Sequence, residues 1–450
     1  MTNFVFSRRS LQAAINDLAG VITPTQLAAL VRKLNKVHDG RMAAMWEVVV
    51  LSALSKIGCL SHELELPNGR RPDFNMNVAL SMQNEVNIIG DIATVSDNAL
   101  HEQNPVEEFA EQLIRTAKKV RLRPEFIGFR VDSHRPKSGR LQLRLPKKGE
   151  IVHLIKAEVQ PWMLQRAASP GLFDTFKFER GAVKFSIVYD PRQRNFNGGY
   201  LSYTCVTSLE KNTLAYALKN KADQLRASPA TAIRMVVVCD SGASIFRDLV
   251  HRGLGGSFSA YEVAQKFLRE SATVDLVLLV TVEQTGIQLS TPCEIRWATV
   301  ARPRGKQPDR LWDLDFCLLG ALLDKLIDGL PRPMRTPSNA ARLCNDSDTG
   351  PCPFGGSEVS SDRVTLSARA LQQLLSGNVT TDDFCERHGW GPEPNSLPNP
   401  FKQSLLHGRP IARIEVQPGG DRDDDSVTFF FGPSDSALGS FRVPASTVPE

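Results

Sequence analysis

Three carboxylates stand where carboxylates are expensive. Glu47 lies in the almost wholly apolar run Arg41 to Ile57, RMAAMWEVVVLSALSKI. Asp73 follows Pro72, and Asp91 sits deep in the apolar stretch VNIIGDIATV. An acid in such surroundings must be paired, protonated or bound to a cation. Acids held on rigid elements supply the hard oxygen ligands that Mg²⁺ or Mn²⁺ prefers. An ion held this way activates water and neutralises charge at a phosphorus atom. A nearby cationic side chain completes such a site. The competing reading of Glu47 is a rim residue in a solvated salt bridge.

The local pattern says which elements carry these acids. Residues 41–57 are apolar all round, so they predict a buried helix, ended by Gly58. Leu60 to Leu66 and Arg71 to Val78 read as two strands joined across Pro67-Asn68-Gly69. Val86 to Val95 is a third strand, which puts Asp73 and Asp91 on neighbours. Asp97 reads as a turn or helix-start residue. Pro105 opens a helix through about Lys119, with Glu107 and Glu108 early and Arg115, Lys118 and Lys119 late, as the helix dipole favours. Phe126 to Val131 is a fourth strand.

This order of helix, three strands, helix and strand over residues 41–132 resembles the PD-(D/E)XK, or restriction-endonuclease-like, nuclease superfamily. Pro72-Asp73 matches the start of its motif, Asp91 the acid on the following strand, and Glu47 the acid in the first core helix. The resemblance implies that Glu47, Asp73 and Asp91 bind Mg²⁺ or Mn²⁺ and that a lysine assists the attacking water. That lysine belongs two residues after Asp91, where this chain has Ala93. In some branches of the family the lysine comes from another element. Lys118 is the residue assigned here, with Lys119 and Lys56 as alternatives and Gln112 as a further neighbour of the site. Glu85 is the alternative to Asp91 but also lacks the lysine. The implied activity is metal-dependent endonucleolytic hydrolysis of DNA phosphodiesters. The alternative is a catalytically inactive nuclease-like subunit that binds nucleic acid or acts as a scaffold. Bacterial restriction and phage-defence effectors share this general layout, which is an analogy of fold only.

The partner expected from charge is nucleic acid. The net charge of +5 is mild, but Arg115, Lys118, Lys119, Arg121, Arg123, Arg130, Arg135, Lys137, Arg140, Arg144, Lys147 and Lys148 crowd one stretch. Only Glu125 and Asp132 oppose them. Such a run attracts a polyanion through its backbone phosphates. Arg70, Arg71, Arg115, Lys119, Arg121, Arg123, Arg135, Lys137 and Arg140 are the predicted contacts. A solvated loop and helix face is the plainer reading of the same run.

The eight cysteines are scattered, with no CxxC pair, and read as reduced, mostly buried thiols. No secretory signal or membrane-length apolar run is apparent, so a cytoplasmic protein is expected. A homo-oligomer or larger complex fits the same picture. The predicted class is α/β. Residues 1–40 form a helical segment, 41–149 the nuclease-like core, and 150–330 a second α/β region. A flexible linker follows at 331–361, then a small α+β region at 362–450. In the second region Lys219 and Lys221 are predicted on a solvated helix face. Asp240-Ser241-Gly242 is predicted as a turn at a strand end.

Overall fold

The computed structural model describes residues 4–36, 40–81, 84–135, 141–169, 171–253, 256–285, 292–303, 305, 311, 316–345, 357–391, 396–420, 424–435 and 437–438. The first elements are helices α1 (Arg8–Leu18), α2 (Pro24–Asn35) and α3 (Arg41–Ser55). The Ser7 and Thr23 side chains accept from the backbone N–H groups of Ser10 and Gln26, and Gln26 returns a bond to Thr23. Helix α3 is buried nearly all round, as its composition requires. Strands β1 (Cys59–His62), β2 (Phe74–Ser81) and β3 (Asn84–Val95) follow.

The chain then leaves this sheet. Helices α4 (Asn98–Gln103) and α5 (Val106–Lys119) lead to β4 (Ile127–Val131), β5 (Ser133–His134) and β6 (Gln142–Leu143). Next, α6 (Ile151–Leu154) runs through a π-helical turn (Ile155–Val159) into α7 (Gln160–Ala168). Strands β7 (Asp174–Arg180), β8 (Val183–Tyr189) and β9 (Asn197–Gly199) complete the excursion. They form a separate four-stranded sheet in the order β7-β8-β4-β9. Its core joins Phe109 and Leu113 of α5 to Ile151, Ile155, Phe185 and Ile187.

The first sheet is completed only after that. Helix α8 (Thr213–Leu225) precedes β10 (Ile233–Asp240), then come α9 (Ala260–Glu270), β11 (Leu276–Gln284), β12 (Cys293–Ala301) and α10 (Phe316–Asp328). The result is a six-stranded sheet in the order β1-β2-β3-β10-β11-β12. Strands β3, β10 and β11 are mutually parallel, and the outer pairings are antiparallel. Every residue of β10 is buried, as expected for a strand covered on both faces. Alternation divides the side chains between two layers. Ile88, Ile92, Met235 and Val237 pack with residues of α1, α3 and α10. Ile89, Ala93, Val236 and Val238 pack with residues of α8 and α9.

Helix α11 (Pro337–Asn345) and strands β13 (Glu358–Val359) and β14 (Arg363–Ser367) come next. Helices α12 (Ala368–Leu375), α13 (Thr381–Arg387) and α14 (Pro400–Leu406) and strands β15 (Ile411–Gln417) and β16 (Ser426–Phe431) finish the chain's regular structure. This last sheet has the order β13-β14-β16-β15. Among the described residues no helix is long and apolar enough to cross a membrane.

The chain is thus a mixed α/β protein, but the predicted divisions need correction. The strand at 126–131 is expected as the fourth strand of the nuclease-like core that carries Asp73 and Asp91. It belongs to the second sheet, together with the helix before it. The boundary at 149/150 does not separate two α/β units, because β10, β11 and β12 continue the sheet that β1, β2 and β3 begin. Residues 98–206 are an excursion from that sheet. Tyr200 to Val206 has no regular structure. The predicted linker 331–361 contains α11, and its start is tied to the N-terminus by the Met334 N–H bond to the Val5 carbonyl.

Candidate functional site

The β2–β3 ladder ends at the pair Phe74 and Gly90. One step further the register brings Asp73 opposite Asp91, and there the carboxylates replace the ladder's carbonyls as acceptors. The Asp73 N–H donates to Asp91 Oδ1 at 3.3 Å, and the Ile92 N–H donates to Asp73 Oδ2 at 2.7 Å. His62, the last residue of β1, places its ring Nδ1 2.6 Å from the Asp73 carbonyl. Gly90 permits this geometry. A Cβ there would lie 2.3 Å from the Phe74 ring and 2.5 Å from the Met235 carbonyl of the next strand.

The cation of the site comes from α8. Lys221 Nζ lies 3.1 Å from Asp91 Oδ1 and 3.4 Å from Asp73 Oδ2. The Lys221 side chain is 20% exposed, that of Asp91 only 1%. Asp91 pairs in register with Val236 and shares its strand face with Ile89 and Ala93, the face covered by α8. Its second oxygen, Oδ2, is buried and accepts no hydrogen bond among the described residues.

Burial, reinforced by the neighbouring Asp73, pushes the Asp91 carboxyl up to about 7, with Lys221 acting in the opposite direction. Burial works against the Lys221 ammonium as well. The Asp73 and Asp91 carboxylates more than offset it, and the lysine pKa ends above its ordinary value. Glu47 approaches from the other layer of the fold. Its pKa is raised by burial and by the charge of Asp73, and Lys33 and His62 oppose the rise. Lys33 Nζ pairs with Glu47 Oε2 at 3.3 Å. That pair carries part of the rim reading of Glu47, although its side chain is only 13% exposed.

Several predicted residues lie elsewhere. The three acids do not converge on one point: among the described residues no group of three or more His, Cys, Asp or Glu side chains is set to hold a metal ion. Asp73 and Asp91 meet around an ammonium instead, and Glu47 turns toward Lys33. Lys118, assigned as the catalytic lysine, is exposed near the end of α5, a helix packed in the core of the second sheet. Lys119 and Gln112 share that helix, and Lys56 pairs with Asp17 at 2.8 Å. Glu85 is exposed and stands in register with Ala79, six residues along from Asp73.

The predicted nucleic-acid contacts are scattered. Arg70 and Arg71 are exposed on the loop leading to Asp73, Arg71 paired with Glu65. Arg115, Lys119, Arg121 and Arg123 are exposed on the excursion, and Arg135 bonds the Thr207 hydroxyl. Lys137 and Arg140 lie outside the described residues. Asp240 fits its predicted turn: Oδ1 accepts from the N–H groups of Gly242 and Ala243, and Oδ2 from the Thr281 hydroxyl.

Lys221 was the residue missed, and a signal for it was present. The buried positions of α8 include Leu214, Leu218, Ala222 and Leu225. Lys221 falls inside that stripe, three residues after Leu218 and four before Leu225, where a solvated lysine does not belong. Asp73, Asp91 and Lys221 form a buried ion-pair cluster where two strands part, an arrangement that can exchange protons or bind a further cation. No protein-family model matches the chain, and neither a curated protein nor a solved structure does.

Proposed function

We propose that this protein is a metal-dependent nuclease with a PD-(D/E)XK-like core, assembled from α3, β1, β2, β3, α8 and β10. The observation that carries this reading is Lys221 bridging Asp73 and Asp91 at the point where β2 and β3 separate. The sequence lacks a lysine two residues after Asp91, and an ammonium from α8 meets the same acids. The resemblance therefore rests on α8 and β10 in place of α5 and β4.

The donors fit a divalent ion. They are carboxylate oxygens, the ligand class Mg²⁺ and Mn²⁺ prefer, and one of them, Asp91 Oδ2, is buried without a hydrogen-bond donor among the described residues. Asp73 and Asp91 would hold the ion, with Glu47 nearby as a further acid. When bound, the ion supplies an activated water and charge neutralisation at phosphorus. Asp91 must give up its proton to serve, and the Lys221 charge favours that loss. The Lys221 ammonium also offers a proton donor and a positive charge beside the acids, where phosphate charge builds up. Arg70 and Arg71 extend positive charge along the loop leading to Asp73, where a polyanion backbone could lie.

The test is cleavage of duplex and single-stranded DNA and of RNA, with Mg²⁺ or Mn²⁺, by the wild type and by Asp91→Asn. Cleavage by the wild type and its loss in the variant are expected. Undiminished cleavage by pure Asp91→Asn protein would overturn the assignment. A second reading, a nuclease-like subunit that binds nucleic acid without cutting, is favoured by Ala93. It predicts salt-sensitive binding by both proteins with no cleavage by either.

A further inference from the structure

Strand β15 is the outer edge of the third sheet and pairs only with β16 among the described residues. It is also unusually bare. Ile411, Ile414 and Val416 are 48%, 55% and 63% exposed. Ile414 and Val416 stand in register with Phe429 and Val427, both buried in the core beneath α12 and α13. The apolar face of the sheet thus continues onto β15 without cover. Leu405 and Leu406 of α14 add exposed apolar surface in the same region of the chain.

Edge strands are normally protected by charge, proline or bulges. Here Pro410 precedes the strand, Pro418 follows it, and a register shift lies between Ile411 and Arg413. The segment from Arg413 to Val416 has no proline and no bulge, and its two charges, Arg413 and Glu415, are of opposite sign. Its sequence, Arg-Ile-Glu-Val, is self-complementary when run antiparallel to itself.

We infer that β15 is a homodimer interface, in which β15 pairs antiparallel with β15 of a second copy about a twofold axis at Ile414. In that register Ile414 faces the partner's Ile414, and Arg413 faces the partner's Glu415. Ala412 faces the partner's Val416. Position numbers in each pair sum to a constant, so odd residues meet odd and even meet even. The faces of the two sheets therefore align whichever set of backbone groups points outward. Twofold symmetry makes each cross-strand charge pair occur twice. In the single chain Arg413 stacks on Phe430, 4.1 Å from the ring centroid, and pairs with Glu415 at 3.2 Å. Both side chains thus lie on one face of the sheet, and meeting their counterparts turns Arg413 from Phe430 toward the free edge. The two copies would form one continuous eight-stranded sheet, twice the four strands of the single copy.

Charge reversal tests this register in the full-length protein. Arg413→Glu sets acid against acid across the axis, and Glu415→Arg sets base against base. Each change converts two attractive contacts into two repulsive ones and should weaken the dimer about tenfold to a hundredfold. Carrying both changes in one chain restores opposite charges and should restore the dimer. Mixing the two single variants should give a heterodimer, because every cross-strand pair is then opposite in charge. Sedimentation equilibrium with labelled chains reads the wild type, the two single variants, the double variant and the mixture, and circular dichroism checks that each variant is folded. A wild type that stays monomeric at about 100 μM overturns the inference, since the affinity would then be weaker than about −5 kcal/mol. So does a dimer indifferent to both single reversals, which would lie on another surface, or a mixture that associates no better than its components. These residues take no part in the proposed nuclease site, so failure here leaves that reading untouched, and the reverse also holds.

Discussion

Replacing Lys221 with alanine separates the role of this lysine in chemistry from its role in the fold. Removing one member of a buried ion pair ordinarily costs about 3–5 kcal/mol, because a charge is left without compensation. Two features reduce that cost here. The Lys221 side chain is 20% exposed, so water enters part of the space it leaves. Asp91, whose carboxyl already sits at about 7, can take up a proton. Doing so costs about 1.4 kcal/mol for each pH unit above its pKa. At pH 8 the loss of stability should therefore be about 1–2 kcal/mol, and denaturant unfolding measures it. The loss of cleavage should be far larger, about 10²–10³-fold, as for removal of a preorganised charge or proton donor beside the reacting group. Lys118→Ala should be neutral in both assays, since Lys118 is exposed on a different part of the fold. The double variant Lys221→Ala, Ala93→Lys goes further. Ala93 shares a strand face with Asp91 two residues along, about 7 Å away, within reach of a lysine side chain entering the vacated space. It should recover part of the lost activity. Cleavage by Lys221→Ala within about threefold of the wild type, less than 1 kcal/mol of barrier, would refute the reasoning.

Three further outcomes follow from the same geometry. Gly90→Ala forces a Cβ against the Phe74 ring and the Met235 carbonyl and should cost about 2–3 kcal/mol, read by denaturant unfolding, together with cleavage. Asp240 is held at about 6 mainly by burial, above its ordinary value, so the folded state prefers it protonated. Its contribution to stability is full below about pH 4 and is lost as pH rises through about 6. Asp240→Asn keeps acceptors for the turn without the charge, so its stability relative to the wild type should grow over that window by about 2–3 kcal/mol; a difference independent of pH would contradict this. Arg70→Ala with Arg71→Ala should weaken nucleic-acid binding for all sequences alike and lower the salt-dependence slope by about 2, measured by fluorescence anisotropy.

Periodicity carried the local elements well. The helix around Glu47 is buried because RMAAMWEVVVLSALS leaves no polar face, and Asp91 is buried because its strand is apolar on both sides. What alternation cannot report is which sheet a strand joins. FIGFRV reads as a strand in any partnership, and only the parallel pairing of β3 with β10 reveals that the chain has departed and returned. Lys221 was lost for a related reason. Its neighbours Lys219 and Asp223 are exposed, and a mixed-charge segment looks solvated unless each residue is placed on the helix. The predicted third metal ligand stands apart from the other two. Glu47 is near enough to Asp73 to feel its charge, but its side chain belongs to the opposite layer and is claimed by Lys33.

The excursion also gives the site a birth order. Asp91 and Lys221 are separated by 130 residues, and between them lies a second sheet with its own core. During synthesis both acids emerge before the ammonium that pairs with them, and β3 waits equally long for β10, leaving an open edge. In that interval the strand face that carries Asp91 lacks its α8 cover, and water solvates the carboxylate in place of Lys221. Docking of α8 and β10 covers the open edge of β3 and brings the acids their counter-charge. A chain that stops within the excursion has the carboxylates but not their ammonium, so the cluster is complete only when about half of the protein has been made.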